Sequence, residues 1–280
     1  MGDAARIFEA SEIYRTSPTF EHSGIQRILC PDMPCYDERN IPLGRMYRPF
    51  IEAKDTTLGV GFSVPGVKTG RTHEYLSLLE RKLHFLLELR PEVVDLREQY
   101  PLYDIDKIRS ILANNPKPLR TSVMTIDVLV TETRSGWREH RHIGLSLKYS
   151  SELTKRTTWR RLIREKEFCL KQGWGWSLVT EQHIHEMKWR MSRRIWRWMK
   201  DSDGGTLADD AARIASILNT DNLRSSTADT RLSAAAAKMG SDLNHAYRLL
   251  GIAAVLGYMS VDTTQHLGPR WPLAIAEGTA

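Results

Sequence analysis

Glu80, Asp127 and Lys148 make an ordered acid, acid, lysine series in a chain of 280 residues, each on a different expected element. Magnesium-dependent hydrolysis of a phosphodiester uses such a set. Hard carboxylate oxygens hold the ion, and the ion polarises phosphate and acidifies water. The lysine supplies fixed positive charge for the charge developing at phosphorus or for the attacking hydroxide. Spacing alone carries little weight, because 40 basic and 34 acidic residues yield several such triples by chance. Local cost carries more. Asp127 interrupts the apolar run VMTIDVLV, residues 123–130, and an unpaired aspartate there needs a metal, a lysine or several amide donors. Glu80 projects from the edge of the stripe formed by Leu76, Leu83 and Leu87, where a charge also needs a cation, a metal or a cleft nearby. Competing readings pair Glu80 with Arg81 or Lys82, and Lys148 with Asp127 in a metal-free salt bridge.

These three side chains must be positioned by the elements around them. Residues 75–89, YLSLLERKLHFLLEL, predict a helix ended by Pro91. VVDLREQ, residues 93–99, predicts a short strand stopped by Pro101, with Glu98 and Gln99 as supporting groups behind the acids. VMTIDVLV predicts a stronger strand; the turn at Arg134-Ser135-Gly136 and the alternating HIGLSLKY, residues 142–149, complete an antiparallel pair. Thr157 is expected to cap a basic helix with the stripe Trp159, Leu162, Ile163, Cys169 and Leu170, stopped at Gly173. WGWSLVT, residues 174–180, reads as another strand. Residues 183–200 predict a helix with Ile184, Met187, Met191, Ile195 and Trp198 inward and Arg190, Arg193, Arg194 and Arg197 outward. Asp203-Gly204-Gly205 reads as a linker. Beyond it, helices near 206–219, 229–239 and 241–250 and a terminal hairpin suggest a winged-helix module, with a plain helical bundle as the alternative. Residues 1–70 read as irregular, with turns in PDMP, NIPLG and VPGVKTG.

Charge is distributed unevenly. The net +6 is concentrated in residues 155–200, which hold 13 basic and 4 acidic residues and six of the eight tryptophans. Cationic side chains beside flat aromatic surfaces suit a phosphate backbone; a solvated helix face over core tryptophans is the bland reading. Arg156, Arg160, Arg161 and Arg164 are candidate phosphate contacts, with Glu165 and Glu167 as local helix partners in the alternative. Apolar residues at 41% and charged residues at 26% describe an ordinary globular chain. No run is long and apolar enough to span a bilayer, and no hydrophobic signal core opens the sequence, so a soluble, intracellular protein is expected. Cys30, Cys35 and Cys169 are too few for a disulfide framework, and Cys30-x4-Cys35 lacks the second pair of a zinc motif. No phosphate loop and no nucleophile elbow occur, so ATP binding and serine hydrolase chemistry are not expected.

The blocks KTGRTHEYLSLLE (68–80), VVDLREQYPL (93–102), VMTIDVLV (123–130), GLSLK (144–148) and WGWSLVTE (174–181) resemble, in order, the TnsA family. These are the endonuclease subunits of heteromeric cut-and-paste transposases. The resemblance implies an α/β fold: a restriction-endonuclease-like core, a mixed sheet flanked by helices, followed by a winged-helix-like α+β domain. The expected divisions are an N-terminal extension at 1–67, the catalytic domain at 68–202 and the C-terminal domain at 203–280. The family's acidic ligands fall on Glu80 and Asp127, and its lysine on Lys148. Its polar residue two positions before the lysine is here Ser146, a shorter ligand that would reach a metal through water or leave that position to the Leu147 carbonyl. The implied activity is Mg2+-dependent hydrolysis of the non-transferred strand at the 5′ ends of a mobile element, with Mn2+ as a substitute. Implied partners are double-stranded transposon-end DNA, an RNase H-type transposase subunit and an AAA+ ATPase regulator, in a bacterial cytoplasm at the nucleoid. The alternatives are a stand-alone restriction or junction-resolving nuclease, and a non-catalytic DNA-bound architectural or regulatory subunit.

Overall fold

The first two strands form a hairpin, where THEY returns along FSVP. The computed structural model describes residues 36–55, 60–103, 123–133, 140–202 and 206–275, with residues 110 and 113. Strands β1, Phe62–Pro65, and β2, Thr72–Tyr75, pair antiparallel from Phe62↔Tyr75 to Pro65↔Thr72. Gly70 turns the chain between them at φ +62°, a conformation only glycine adopts freely. Helix α1 then runs Leu78–Glu88. The expected helix start at residue 75 is therefore three residues too early. Tyr75 ends a strand, and Ser77 is the cap: its hydroxyl accepts the Glu80 amide at 3.2 Å.

The central sheet has the order β3-β4-β5-β6, comprising β3 at Val93–Pro101, β4 at Thr125–Glu132, β5 at Arg141–Leu147 and β6 at Gly175–Val179. The first three are antiparallel, and β6 lies parallel to β5. A parallel return needs a crossover, which helix α2, Arg156–Lys171, supplies. The result is a mixed sheet flanked by helices, as expected. All nine residues of β3 are buried, so Pro101 closes the strand from within it. Its charges are matched internally: Arg97 binds Asp37 at 2.5 Å and Arg71 binds Glu98 at 2.7 Å. Two details of α2 differ from expectation. Lys155 occupies the cap position without a side-chain bond, so Thr157 caps nothing, and Ile163 and Leu170 are 51% and 57% exposed. The buried face is Leu162, Glu165 and Cys169, because only that row meets the sheet.

Helices α3, Glu186–Met199, α4, Ala208–Thr220, α5, Ala228–Met239, and α6, Leu243–Val255, complete the chain. After α6 the expected hairpin is reduced, among the described residues, to the single antiparallel bridge Val261↔Ile275; a second bridge, Thr227↔Pro272, joins this stretch to the start of α5. The Asp203-Gly204-Gly205 linker lies outside the described residues, as do Cys30 and Cys35. A continuous apolar core runs from the sheet through α1 and α3 into the last three helices. Gly251 of α6 makes this approach close: a Cβ there would stand 3.3 Å from the Ile195 carbonyl and Met199. A smaller core, including Tyr47, Tyr100, Leu129, Cys169 and Trp174, fills the α2 side of the sheet.

The tryptophans of the basic segment serve packing. Trp174 and Trp196 are buried. Trp159, Trp176, Trp189 and Trp196 donate their indole N–H groups to Leu153, Ser146, Glu186 and Pro65, so each of these polar tips is satisfied within the fold.

Candidate active site

Asp127 sits near the start of β4, bracketed against Gln99 by the pairs Glu98↔Val128 and Tyr100↔Ile126. Its Oδ2 accepts the Leu147 amide at 2.6 Å and Lys148 Nζ at 3.1 Å. The same ammonium donates to the Leu147 carbonyl at 2.6 Å. Burial alone would raise the Asp127 carboxyl, but Lys148, Arg161 and the Leu147 amide outweigh it and hold it below the ordinary range. Lys148 mirrors this: burial favours loss of its proton, while Asp127 and Glu165 keep it charged. Its side chain is 15% exposed, so the cluster reaches solvent.

Glu80 enters from α1. Ser77 Oγ donates to its Oε1 at 2.7 Å and the Leu76 amide to its Oε2 at 3.1 Å. Gln99 Nε2 stands 3.5 Å from the same Oε2, and Thr125 Oγ1 fixes the Gln99 carbonyl oxygen at 2.9 Å. Burial first, and the negative charge of Asp127 second, push Glu80 up to about 7. Gln99 has φ +47°, left-handed backbone that side-chain-bearing residues rarely adopt. Such strain persists where the surroundings over-determine it and gathers at functional sites; here it accompanies the Gln99 amide lying between Glu80 and the sheet.

The geometry thus brings Glu80, Gln99, Asp127, Leu147 and Lys148 together and sends the other supporting candidate elsewhere. Glu98 accepts both Arg71 amino groups at 2.7 Å, His73 Nδ1 at 3.0 Å and the Glu74 amide at 2.9 Å, and the bonds of its carboxylate all run toward β2. Its role is to tie β2 to β3. Ser146 is fully buried, donates to Glu165 Oε2 at 2.5 Å and accepts Trp176 Nε1 at 2.9 Å. Glu165, read in the sequence only as a local partner of arginines, is 1% exposed and acts electrostatically on Asp127 and Lys148. The signal that could have found it is its place on the Leu162–Cys169 stripe of α2. Burial and then Asp127 raise its carboxyl; Arg161, at 2.7 Å, opposes them.

Arg161 is accordingly committed to Glu165 and to the Thr125 carbonyl at 3.3 Å, beside the acids rather than on a free helix face. Arg194 likewise donates to the Leu267 carbonyl. Arg156, Arg160, Arg164 and Arg197 are exposed, and Arg193 is half-buried beside Arg81 and Arg197.

Two carboxylates, Glu80 from a helix and Asp127 from a strand, thus meet the ammonium of Lys148, just past the adjoining strand, in one cluster on a mixed sheet. Residues 90–181 match the family described as TnsA-like endonuclease N terminal, a stretch that contains Asp127, Ser146, Lys148 and Glu165 and begins after Glu80. Over 147 residues the chain is 27% identical to the transposon Tn7 transposition protein TnsA of Escherichia coli, covering 51% of this chain and 53% of that protein. The chain thus spans about half the length of the curated relative it matches. Together the two matches support assignment to the TnsA family. No helix among the described residues is long and apolar enough to cross a membrane.

Proposed function

We propose that the chain is the DNA endonuclease subunit of a transposase, hydrolysing the non-transferred strand at the 5′ ends of a mobile element. One observation carries the reading: Asp127 and the Leu147 carbonyl already grip a positive charge, the Lys148 ammonium, at 3.1 and 2.6 Å, with Glu80 held close enough to feel the charge of Asp127. The donor set suits a hard divalent cation, since all its atoms are oxygens. Glu80, Asp127 and the Leu147 carbonyl would hold Mg2+ or Mn2+, with Ser146 contributing through water and backed by the Glu165 carboxylate. When bound, the ion supplies Lewis acidity toward the phosphate and an acidified water. Lys148 would then turn from Leu147 toward the developing negative charge, while Gln99 keeps Glu80 oriented. The exposed Arg156, Arg160, Arg164 and Arg197, with Arg193, would track phosphates; Arg161 would act from within the pocket.

In this reading residues 68–202 are the catalytic unit, and residues 203–280, with their acidic balance, form a winged-helix-like docking unit for the AAA+ regulator. The RNase H-type subunit would cut and join the opposite strand. The relative's name, a transposition protein of transposon Tn7, supports this placement over a stand-alone nuclease. Titrating Mn2+ calorimetrically into the full chain tests the metal assignment. Binding should occur in the wild type and vanish in Asp127→Ala; equal binding by the variant would move the metal elsewhere, and no binding by either would favour the non-catalytic alternative.

A further inference from the structure

A second group of ligand-type side chains lies behind the nuclease pocket, on the hairpin and helix that carry Glu80. His73 of β2 and His84 and Glu88 of α1 each offer one ligand atom, and these atoms all lie within 4.8 Å of one another. The three residues are 0%, 1% and 0% exposed. His84 Nε2 and both Glu88 carboxylate oxygens have no hydrogen-bond partner. A buried carboxylate left unbonded is costly, which makes these orphaned atoms the feature to explain. Glu88 lies near the Val67 and Lys68 amides without reaching hydrogen-bond geometry, and Lys68 spends its ammonium on the Arg90 and Val93 carbonyls.

The other face of each imidazole is already fixed. His73 Nδ1 meets Glu98 at 3.0 Å, and Glu98 is itself clamped by Arg71. His84 Nδ1 meets the Tyr75 hydroxyl at 2.8 Å. Ligating histidines are oriented in this way, one ring nitrogen held by a carboxylate or hydroxyl so that the other presents its lone pair. The remaining nitrogen of His73, Nε2, lies 2.9 Å from Thr69 Oγ1, a neutral oxygen suited to a fourth corner or to holding a water there.

We propose that His73, His84 and Glu88 form a buried structural site for one divalent transition-metal ion of the zinc class, distinct from the nuclease pocket. Two imidazoles and one carboxylate are a zinc-type set, whereas Mg2+ prefers oxygen ligands and keeps its waters. Tetrahedral ligand atoms about 2 Å from zinc stand roughly 3.4 Å apart, so a separation of up to 4.8 Å must close by as much as about 1.4 Å on loading. The ion would staple β2 to α1 and, through the His73–Glu98 bond, to β3 at the residue preceding Gln99.

Metal analysis of the full chain, purified in metal-free buffer, tests this directly. The expected result is about one zinc per chain, retained in Asp127→Ala and in the Cys30→Ser/Cys35→Ser double variant, and lost in Glu88→Gln. Co2+ loaded in its place should give the visible absorption of a tetrahedral site without thiolate charge-transfer bands. Stripping the wild type with dipicolinate should lower Tm by several degrees, restored by Zn2+ and not by Mg2+. A chain that holds no zinc and takes up no Co2+, or zinc that follows Asp127 or the cysteines, overturns the proposal. Zinc retained by a folded Glu88→Gln overturns it too. If that variant does not fold, the wild-type stoichiometry and the Co2+ spectrum decide. Mg2+-dependent cleavage is read separately, so failure here leaves the nuclease assignment standing.

Discussion

At the scale of single residues, charge placement decides what Glu80 and Asp127 can do. Removing Asp127 with Ala deletes both the acceptor of Lys148 and the proposed cation ligand; cleavage should fall by about 10³-fold or more while far-UV circular dichroism stays native. Full activity in that variant would remove Asp127 from the site. Glu80 makes a pH prediction. In the metal-free protein its folded carboxyl keeps its proton up to about 7, whereas the ordinary glutamate loses it near 4.5. The native state therefore binds more protons across that window, and its stability falls as pH rises through it. Thermal melts of Glu80→Gln should show a shallower loss of Tm over the same interval; an unchanged slope would mean Glu80 is not the perturbed group. Glu80 and Asp127 stood out in the sequence because each sits where apolar neighbours make a charge expensive, whereas Lys148 stood out through its place in the block GLSLK. Glu165 was not, because its arginine neighbours on α2 look like solvent-exposed partners until Ser146 is seen beneath it.

At the scale of elements, the antiparallel pair β4–β5, helix α2 and strand β6 follow from run length and alternation, both local properties. The β1–β2 hairpin does not: THEY carries His73 and Glu74, and nothing local shows that Glu98 receives His73 and the Glu74 amide. The same long-range matching buries all of β3, including Asp95, Arg97 and Glu98. Glu98→Ala would strand the buried Arg71 guanidinium and should cost about 3–5 kcal/mol in urea denaturation; a loss under about 1 kcal/mol would show that Arg71 finds water instead. Packing between β5 and α2 is similarly tight. A Cβ at Gly144 would stand 2.4 Å from Ile126 Cδ1 and 2.6 Å from Cys169 Sγ. Gly144→Ala should therefore destabilise by about 1–3 kcal/mol by the same assay, and a neutral result would mean Ile126 and Cys169 move aside freely. Gln99→Ala removes the amide beside Glu80 and should weaken Mn2+ affinity by about 10–100-fold, read by calorimetry.

At the scale of the whole molecule, the three-part division of the chain meets a core that does not stop at residue 202. Met191, Ile195 and Met199 of α3 share one apolar cluster with α6, a packing invisible to sequence because its partners lie about fifty positions apart. The glycine-bearing linker signal says nothing of the packing on either side of it. Charge at this scale predicts how DNA is held. Arg160 and Arg164 are exposed on α2. Replacing either with Ala should lower the slope of log affinity against log salt by about 0.9 for each phosphate it neutralises, measured by anisotropy on duplex DNA; an unchanged slope would put the DNA on another face. Hydrolysis of one DNA strand by Glu80, Asp127 and Lys148 with a divalent cation is tested most directly by strand-specific cleavage of end-labelled transposon-end DNA with the partner transposase present. The expected result is Mg2+-dependent cutting of the non-transferred strand that Asp127→Ala and Lys148→Ala abolish, while cutting of the opposite strand depends on the partner. Cutting of the non-transferred strand that survives both substitutions would contradict the assignment.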